Sequence, residues 1–460
     1  MGKVRVGVSQ GFHDAGVTIL DGQDITYASH SERHSRKKND KWIHKDQLPL
    51  IWDKIAYYER PFLKNSRRLF AGQKMQWTKF RYDHYFGHHL SHAAAGFQTS
   101  PFETANVMVI DAIGEWDTVS IWDAWYEPRE FASNPVTRGK GRASYKKVKS
   151  WKYPYSLGLL YSAITQRIGL KPNEDEYITM GMAAYGEPIY DLEFLLYRNN
   201  HKGVGNIFPH ARPEDLAASV QNLFETKLLQ LLKYCDQKNI ILMGGCALNC
   251  LANSRIPSHY NIWIMPSPGD AGSSLGAAAL IERKKLNWQH PYLGWNINRE
   301  VNPKKVVDYL LKNKYCGIAN GRAEFGPRAL GNRSLIADPR YDVKDTVNEI
   351  KQRQKFRPFA PMILEEYFDD YFIGRKNRYM QFVSRAKHDY SSVTHVDGTA
   401  RVQVVEKTNP SVSRLILEEW YNKTGCPMLL NTSLNIKGQP IVNTWGDAMV
   451  FQSKYDVKVF

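Results

Sequence analysis

Ile240-Ile241-Leu242-Met243-Gly244-Gly245-Cys246-Ala247-Leu248-Asn249, with Ile262-Trp263-Ile264-Met265-Pro266-Ser267-Pro268-Gly269-Asp270 a little further on, is the stretch that sets the fold class. Each segment opens on four apolar residues, too few for a helix and rich in isoleucine, and closes on glycine or proline. That is the pattern of a buried strand ending in a turn. The first turn runs into a small-residue helix start, and the second into a helical stretch over Ser273–Arg283. Strand, glycine-containing turn and helix in succession predict an α/β domain. Working outward, Val107-Met108-Val109-Ile110 is another buried strand, ending at Asp111-Ala112-Ile113-Gly114-Glu115. Val4–Val8 and Val17–Leu20 read as strands around the turn Gln10–Ala15, and Asp21-Gly22 supplies a hairpin turn. Polar residues recur at strand ends, where α/β sheets gather nucleotide and metal sites.

Length and composition bound the rest. A chain of 460 residues exceeds one ordinary core, so two or three domains are expected. An apolar content of 43% and an aromatic share of 12% exclude a disordered chain. No run of about 18 apolar residues predicts a membrane span. The start, Met1-Gly2-Lys3-Val4-Arg5-Val6, reads as a strand and not as a signal peptide, so a cytoplasmic location is expected. Five cysteines without a paired framework agree with a reducing compartment. Residues 284–305 break periodicity, Pro303 precedes a helix over Val306–Leu311, and the remainder is α+β in pattern. The expected division is a domain over 1–290, a linker over 291–305 and a domain over 306–460. No solenoid repeat is visible.

Three motifs carry chemistry. In Gly87-His88-His89-Leu90-Ser91-His92-Ala93-Ala94-Ala95, His88 and His92 are four apart and share a helix face, so both can reach one metal ion while His89 points elsewhere. A helix with incidental histidines is an equal reading of that motif alone. Glycine-flanked strand ends at Gly7, Gly11, Asp111–Glu115, Gly244-Gly245 and Gly269–Gly272 permit close approach of backbone N–H groups to phosphate. None is a Walker A or a dinucleotide fingerprint. The densest run is Gly321-Arg322-Ala323-Glu324-Phe325-Gly326-Pro327-Arg328-Ala329-Leu330-Gly331-Asn332-Arg333-Ser334, followed by Lys351, Arg353, Phe356-Arg357-Pro358-Phe359-Ala360-Pro361 and Arg401. Arginines set among Gly, Pro and Phe suit a phosphate pocket better than a solvated face. Asn431-Thr432-Ser433-Leu434-Asn435 adds neutral hydrogen-bonding groups after an apolar run. Cys246 and Cys250 read as helix packing.

Lys+Arg of 62 against Asp+Glu of 46 gives a formal charge of +16, which favours anionic partners. Arg138, Lys140, Arg142, Lys146, Lys147, Lys149 and Lys152 form a run without acids that includes Tyr145 and Trp151. Such a run is usually a solvated loop. Its aromatic residues, with Arg33, Arg36, Lys37, Lys38 and the patch over Lys64–Arg68, keep nucleic-acid binding open.

On these residues the sequence resembles the O-carbamoyltransferase family, which includes nodulation-factor, cephalosporin and aminoglycoside carbamoylating enzymes. The likeness runs over nearly the whole chain. It is most specific at Gly321–Arg340, Phe356–Pro361 and Asn431–Val442, supported by His88–His92 and Gly244–Asn249. The chain departs from the family pattern at Ile178, Gln354, Gln439 and Leu434.

The resemblance implies an N-terminal domain of the actin-like ATPase (ASKHA) superfamily and a C-terminal α+β YrdC-like domain. It implies that the C-terminal pocket binds carbamoyl phosphate and ATP, the latter with Mg, through Arg328, Lys351, Arg357 and Arg401, with Asn431, Thr432 and Ser433 beside them. Carbamoyl adenylate forms there and moves to the N-terminal site. At that second site it implies a divalent metal (Fe, Zn or Mn) on His88, His92 and Asp270. Asp111, Gly114, Glu115, Gly244, Gly245 and Asn249 would form the adenylate pocket. His13 beside Asp14, with Lys38, would be the catalytic set for the acceptor hydroxyl.

Relatives of this kind act on antibiotics, sugars and, in some phages, hydroxymethylated pyrimidines. Charge favours 5-hydroxymethylcytosine in DNA as acceptor, with Arg138, Lys140, Arg142, Lys146, Lys147 and Lys149 on the phosphates and Tyr155 or Trp151 stacking a flipped base. The location would then be the cytoplasm of a bacterial host. A small-molecule tailoring enzyme is the rival expectation, and an idle nucleic-acid-binding relative a third. A homodimer is left open.

Overall fold

The computed structural model describes residues 3–78, 80–127 and 141–460. They divide into two compact units. The first comprises the chain up to Ser31 and Lys41–Gln289, and the second comprises Glu32–Asp40 and His290–Phe460.

In the first unit the strands are β1 (Val4–Ser9), β2 (Gly16–Asp21), β3 (Asp24–His30), β4 (Lys54–Tyr57), β5 (His84–Tyr85), β6 (Thr104–Gly114), β7 (Asp117–Tyr126), β8 (Ala143–Lys152), β9 (Asn239–Met243) and β10 (Asn261–Ile264). They form two five-stranded sheets in the orders β3-β2-β1-β4-β5 and β10-β9-β6-β7-β8. Within the first sheet, β1, β2 and β3 are an antiparallel meander, and β4 and β5 extend it in parallel. The second sheet repeats the plan with β6, β7 and β8 as the meander and β9 and β10 as the parallel extension. One strand order therefore occurs twice, which is the duplicated architecture of the actin-like α/β fold.

The repetition has a packing consequence. Helix His88–Thr99 follows β5, and helix Ser273–Glu282 follows β10, so they occupy equivalent places in the two halves. They pack against one another through small residues. A Cβ on Gly276 would lie 1.7 Å from the Ser91 carbonyl oxygen, so only glycine allows this approach. Ala93, Ala94, Ala95, Ala277, Ala278 and Ala279 are fully buried around the contact. The seam between the halves is consequently tight, and both helix starts are held where the strands end.

The second unit contains β11 (Tyr292–Ile297), β12 (Tyr315–Ala319), β13 (Gly321–Glu324), β14 (Arg333–Ala337), β15 (Ala360–Leu364), β16 (Phe372–Ile373), β17 (Ser384–Ala386), β18 (Thr399–Ala400), β19 (Gln403–Val405) and β20 (Met428–Ser433). Its main sheet has the order β12-β14-β20-β15-β19 and is mixed, with only β15 and β19 parallel. Val306, Val307 and Leu310 of helix Pro303–Asn313 share one apolar core with Ile416, Leu417 and Trp420 of helix Val412–Thr424. The unit is α+β.

Two local expectations change. Residues 291–305 are not a plain linker, because Tyr292–Ile297 forms β11 and pairs antiparallel with β13. Its alternating apolar residues find a partner distant in sequence, which local punctuation could not reveal. The basic run is not a loop throughout either: Ala143–Lys152 is the edge strand β8, paired along its length with β7. Lysines suit such an edge because they discourage pairing with another chain.

Candidate active sites

The first site is built at the seam of the first unit. His88 and His92 project from the first two turns of helix His88–Thr99, and both rings are buried. Asp111 lies near the end of β6, where the register with β7 shifts between Ile110 and Gly114. Asp270 opens the turn before helix Ser273–Glu282. One donor atom from each of these four residues lies within 4.8 Å of the others. The Nε2 atoms of His88 and His92 are 3.2 Å apart. Asp111 Oδ2 is 2.9 Å from His88 Nε2 and 3.7 Å from His92 Nε2, and Asp270 Oδ1 is 3.4 Å from both. His89 turns away and bonds Ser120 Oγ at 2.7 Å through Nδ1.

Burial lowers the His88 pKa, but the carboxylates of Asp270, Asp111 and Glu59 overcome it and raise it well above the ordinary value. Burial likewise pushes the Asp270 and Asp111 carboxyls up, and the two imidazoles bring both well below the usual range. Four convergent nitrogen and oxygen donors with two anionic members are the donor set of a first-row divalent cation. The residues present therefore fit a metal. Asp111 belongs to this set by position, whereas the resemblance implied a place for it in the adenylate pocket.

The neighbouring glycines serve the cluster. A Cβ on Gly114 would lie 2.2 Å from His88 Cδ2, so the ring can pack only against glycine. The Gly245 amide donates to Asp111 Oδ1 at 3.3 Å, and the Ala112 amide donates to the same oxygen at 2.9 Å. Asn249 caps helix Cys250–Arg255 and exchanges two hydrogen bonds with the Gln221 amide. The Glu115 carboxylate is occupied by Arg60, through its backbone amide at 2.7 Å and its guanidinium at 2.8 Å. In this geometry Glu115 anchors the turn between β6 and β7.

His13 and Asp14 sit in the loop between β1 and β2, half-buried, with His13 Nδ1 3.1 Å from Asp14 Oδ2. Burial opposes a charge on His13, but the bond to Asp14 and the fields of Asp270 and Asp111 raise its pKa to about 9. The imidazole is therefore charged at neutral pH. Lys38 belongs to the second unit, where its ammonium is 2.8 Å from Glu32.

The second site is built around the loop that carries Arg328. Glu324, at the end of β13, accepts backbone N–H bonds from Leu330 at 2.7 Å, Asn332 at 2.9 Å and Arg333 at 3.3 Å, all on Oε1. Three further groups grip the loop carbonyls: Asn431 Nδ2 on Ala329, and Gln403 Nε2 and the Tyr292 hydroxyl on Leu330. Arg33 donates to the Gly326 carbonyl at 3.2 Å. Buried polar atoms without partners accumulate here, among them Glu324 Oε2, Asn431 Oδ1 and Arg401 Nε. Arg328 and Arg357 are half-buried.

Lys351 is buried, and its ammonium bonds the Ser433 carbonyl together with the Asn435 carbonyl (2.9 Å) and Oδ1 (3.1 Å). In this conformation it supports the Ser433–Asn435 turn and does not reach outward. Ser433 Oγ bonds Asn435 Oδ1 at 2.6 Å, and Thr432 is half-buried on the same strand end. Arg333, a tempting phosphate ligand in sequence, is wholly buried and donates to the carbonyls of Asn443, Asn320, Gly321 and Trp295.

The candidate nucleic-acid groups separate into two kinds. Arg138 and Lys140 lie outside the described residues. Arg142, Lys146, Lys147 and Lys149 are exposed along or beside β8. Lys147 pairs with Asp117 and lies 4.9 Å from the Trp122 ring, and Lys149 lies 5.8 Å from Trp151 and 5.7 Å from Tyr234. Tyr155 is only 9% exposed and packs on Tyr197, so it offers no free stacking face. Arg33 and Arg36 are not a solvated patch: Arg36 donates to the Ile441 and Pro440 carbonyls at 2.6 and 3.0 Å. Lys64 and Arg67 are buried as well. Among the described residues, no helix is long and apolar enough to cross a membrane.

Comparison with known proteins identifies the family. The family description "Carbamoyltransferase N-terminus" matches residues 46–200 and 198–279, and "Carbamoyltransferase C-terminus" matches residues 307–460. An uncharacterised protein of Synechocystis sp. is 31% identical, with 96% of this chain and 93% of that protein covered. Nodulation protein NolNO of Sinorhizobium fredii is also 31% identical, over 79% of this chain and 61% of its own. Among solved structures, the activator of the 2-hydroxyisocaproyl-CoA dehydratase from Clostridium difficile shows a distant likeness. It is 14% identical at a TM-score of 0.37, covering 61% of this chain and 94% of its own.

Proposed function

The chain belongs to the carbamoyltransferase family and is an enzyme of that class, and we propose that it is an ATP-dependent O-carbamoyltransferase working through carbamoyl adenylate. In the second unit, Arg328, Arg357 and Arg401 bind the phosphates of carbamoyl phosphate and magnesium ATP. Water cleaves carbamoyl phosphate to carbamate and inorganic phosphate, and an oxygen of the carbamate attacks the α-phosphorus of ATP. Pyrophosphate leaves with the bonding pair. Glu324 keeps Arg328 aimed by fixing the loop that bears it, and Lys351 does the same for the Ser433–Asn435 turn.

In the first unit the adenylate lies along Gly114, Gly244, Gly245 and Asn249. His88, His92, Asp111 and Asp270 would hold a divalent cation, which when bound supplies Lewis acidity toward an oxygen ligand. The acceptor hydroxyl oxygen bonds to the carbamoyl carbon, and the carbon–oxygen bond to AMP breaks. His13, oriented by Asp14, holds the hydroxyl proton once it has shed its own. The observation that carries this reading is the buried convergence of two imidazoles and two carboxylates, which is costly as mere scaffold.

The acceptor is proposed to be the hydroxymethyl group of 5-hydroxymethylcytosine in DNA, in the cytoplasm where ATP and carbamoyl phosphate are made. The formal charge of +16 and the exposed Lys146, Lys147 and Lys149 beside Trp151 support it. The test supplies ATP, carbamoyl phosphate and a divalent metal with hydroxymethylcytosine DNA or the free nucleoside, and looks for an added carbamoyl group by mass spectrometry. Product in DNA alone supports the polymer acceptor. Equal reaction of the nucleoside transfers the reading to a small-molecule substrate. Pyrophosphate release with neither product overturns the acceptor and keeps the chemistry.

A further inference from the structure

Beneath the histidine cluster lies a buried ion pair that the proposed chemistry does not use. Glu59 follows β4 by two residues and is 2% exposed, and Lys64, in helix Pro61–Phe70, is 4% exposed. Their side chains pair directly, ammonium to Glu59 Oε1. Burying two charges costs several kcal/mol of solvation, so an apolar pair would serve a purely structural purpose at least as well. The contacts around the pair suggest what it does instead.

Glu59 Oε2 faces His88 Nδ1 at 3.6 Å, and that nitrogen is buried without a hydrogen-bond partner. For His88 to offer its Nε2 lone pair to a metal, its proton must sit on Nδ1, and a buried N–H needs an acceptor. Glu59 is placed to be that acceptor. The same pair reaches the other side of the site. The Lys64 ammonium donates to the Gly11 carbonyl at 3.3 Å. The Tyr57 hydroxyl donates to the Gln10 carbonyl at 2.6 Å and lies 3.4 Å from Glu59 Oε1. Gln10 and Gly11 begin the loop that carries His13 and Asp14.

We infer that Glu59, held by Lys64 and Tyr57, is a positioning residue that fixes the ring orientation and tautomer of the metal-binding His88 and ties the His13 loop to the same carboxylate. This rests on the reading of His88, His92, Asp111 and Asp270 as metal ligands. The carboxylate stands one bond back from the ion, and loss of such a partner lowers metal affinity by about 10- to 100-fold.

The experiment measures Co(II) affinity of the full chain by chelator competition, with the visible absorption of bound Co(II) as a second signal. Glu59→Gln keeps the shape but weakens the acceptor. The double variant Glu59→Gln, Lys64→Gln also removes the stranded ammonium, so it is expected to fold where the single change does not. The expected result is affinity about 10- to 100-fold below the parent's in at least the double variant, an altered Co(II) spectrum, and a metal-free melting temperature close to the parent's. Parent-like Co(II) affinity and spectrum in the folded double variant overturn the inference and leave the pair as scaffold. A parent chain that binds no Co(II) overturns the metal reading itself, an outcome distinct from the first.

Discussion

The two candidate sites are built with opposite charge and by opposite means. In the first unit, two carboxylates and two imidazoles converge from helix, strand end and turn, a set that suits a cation. In the second, Arg328 is set on a loop whose backbone is gripped by Glu324, Asn431, Gln403 and Tyr292, and its guanidinium suits an anion. The first is fixed by side chains meeting at a tight helix seam. The second is fixed by side chains holding main chain. Under the proposed function each site takes a ligand of opposite sign, which makes the two separable by mutation.

The largest effect that would test this separation comes from His92→Ala. Carbamoyl transfer is expected to fall by about 10²- to 10³-fold or more, as for loss of other preorganised electrostatic groups. Carbamoyl-phosphate-dependent pyrophosphate release should continue, because Arg328 and its loop are untouched. Loss of both reactions would break the comparison. The converse variant, Arg328→Ala, is expected to lower pyrophosphate release by about 10²-fold, with Arg328→Lys recovering only part because a point charge replaces a planar fork. Metal affinity should not change in either arginine variant, and a chelator titration checks it.

The sequence revealed these two sites unequally, for physical reasons. The α/β pattern was legible because buried strands such as Ile240–Met243 are continuous apolar runs ended by glycine. The duplicated strand order was not, since pairing between β1 and β4 or β6 and β9 is a long-range choice. His88 and His92 were visible from helical spacing alone. Asp111 was noticed as a strand-end acid, but only the register shift after Ile110 brings it to the histidines. Glu59 gave no signal and Lys64 read as part of a basic patch, because a buried ion pair looks in sequence like any two surface charges. In the second unit the arginine run was plain. Nothing local distinguished Arg333, turned inward onto five carbonyls, from Arg328 five residues earlier.

Gly114→Ala drives a methyl group into the His88 ring and is expected to cost about 1–3 kcal/mol, the usual range for overpacking. Because the ring that must move is a proposed metal ligand, Co(II) affinity should fall with it. Glu324→Gln keeps size and hydrogen-bonding oxygen but removes the charge that three amides share. It should lower the thermal midpoint and raise the KM for carbamoyl phosphate, while Co(II) binding stays at the parent value. If Gly114→Ala leaves metal affinity intact, the seam is less tightly coupled to the cluster than the packing implies.

The smallest effect concerns how far the cation-seeking character of the first site extends. His13 is held above the ordinary histidine value although burial opposes its charge, because Asp14 bonds it and Asp270 and Asp111 act on it from the cluster. In the metal-free chain its imidazole should titrate near 9 by NMR. The sign follows from linkage: a raised folded-state pKa contributes stability that is fully present below the ordinary value near 6.5 and is lost as pH rises through about 9. A divalent cation on Asp270 and Asp111 opposes their field, so the midpoint should fall when metal binds, which moves His13 toward the neutral form that a proton acceptor needs. Asp14→Asn removes the other support and should lower the midpoint further. A midpoint that ignores the metal would confine the first site to its four ligands and detach the His13 loop from it.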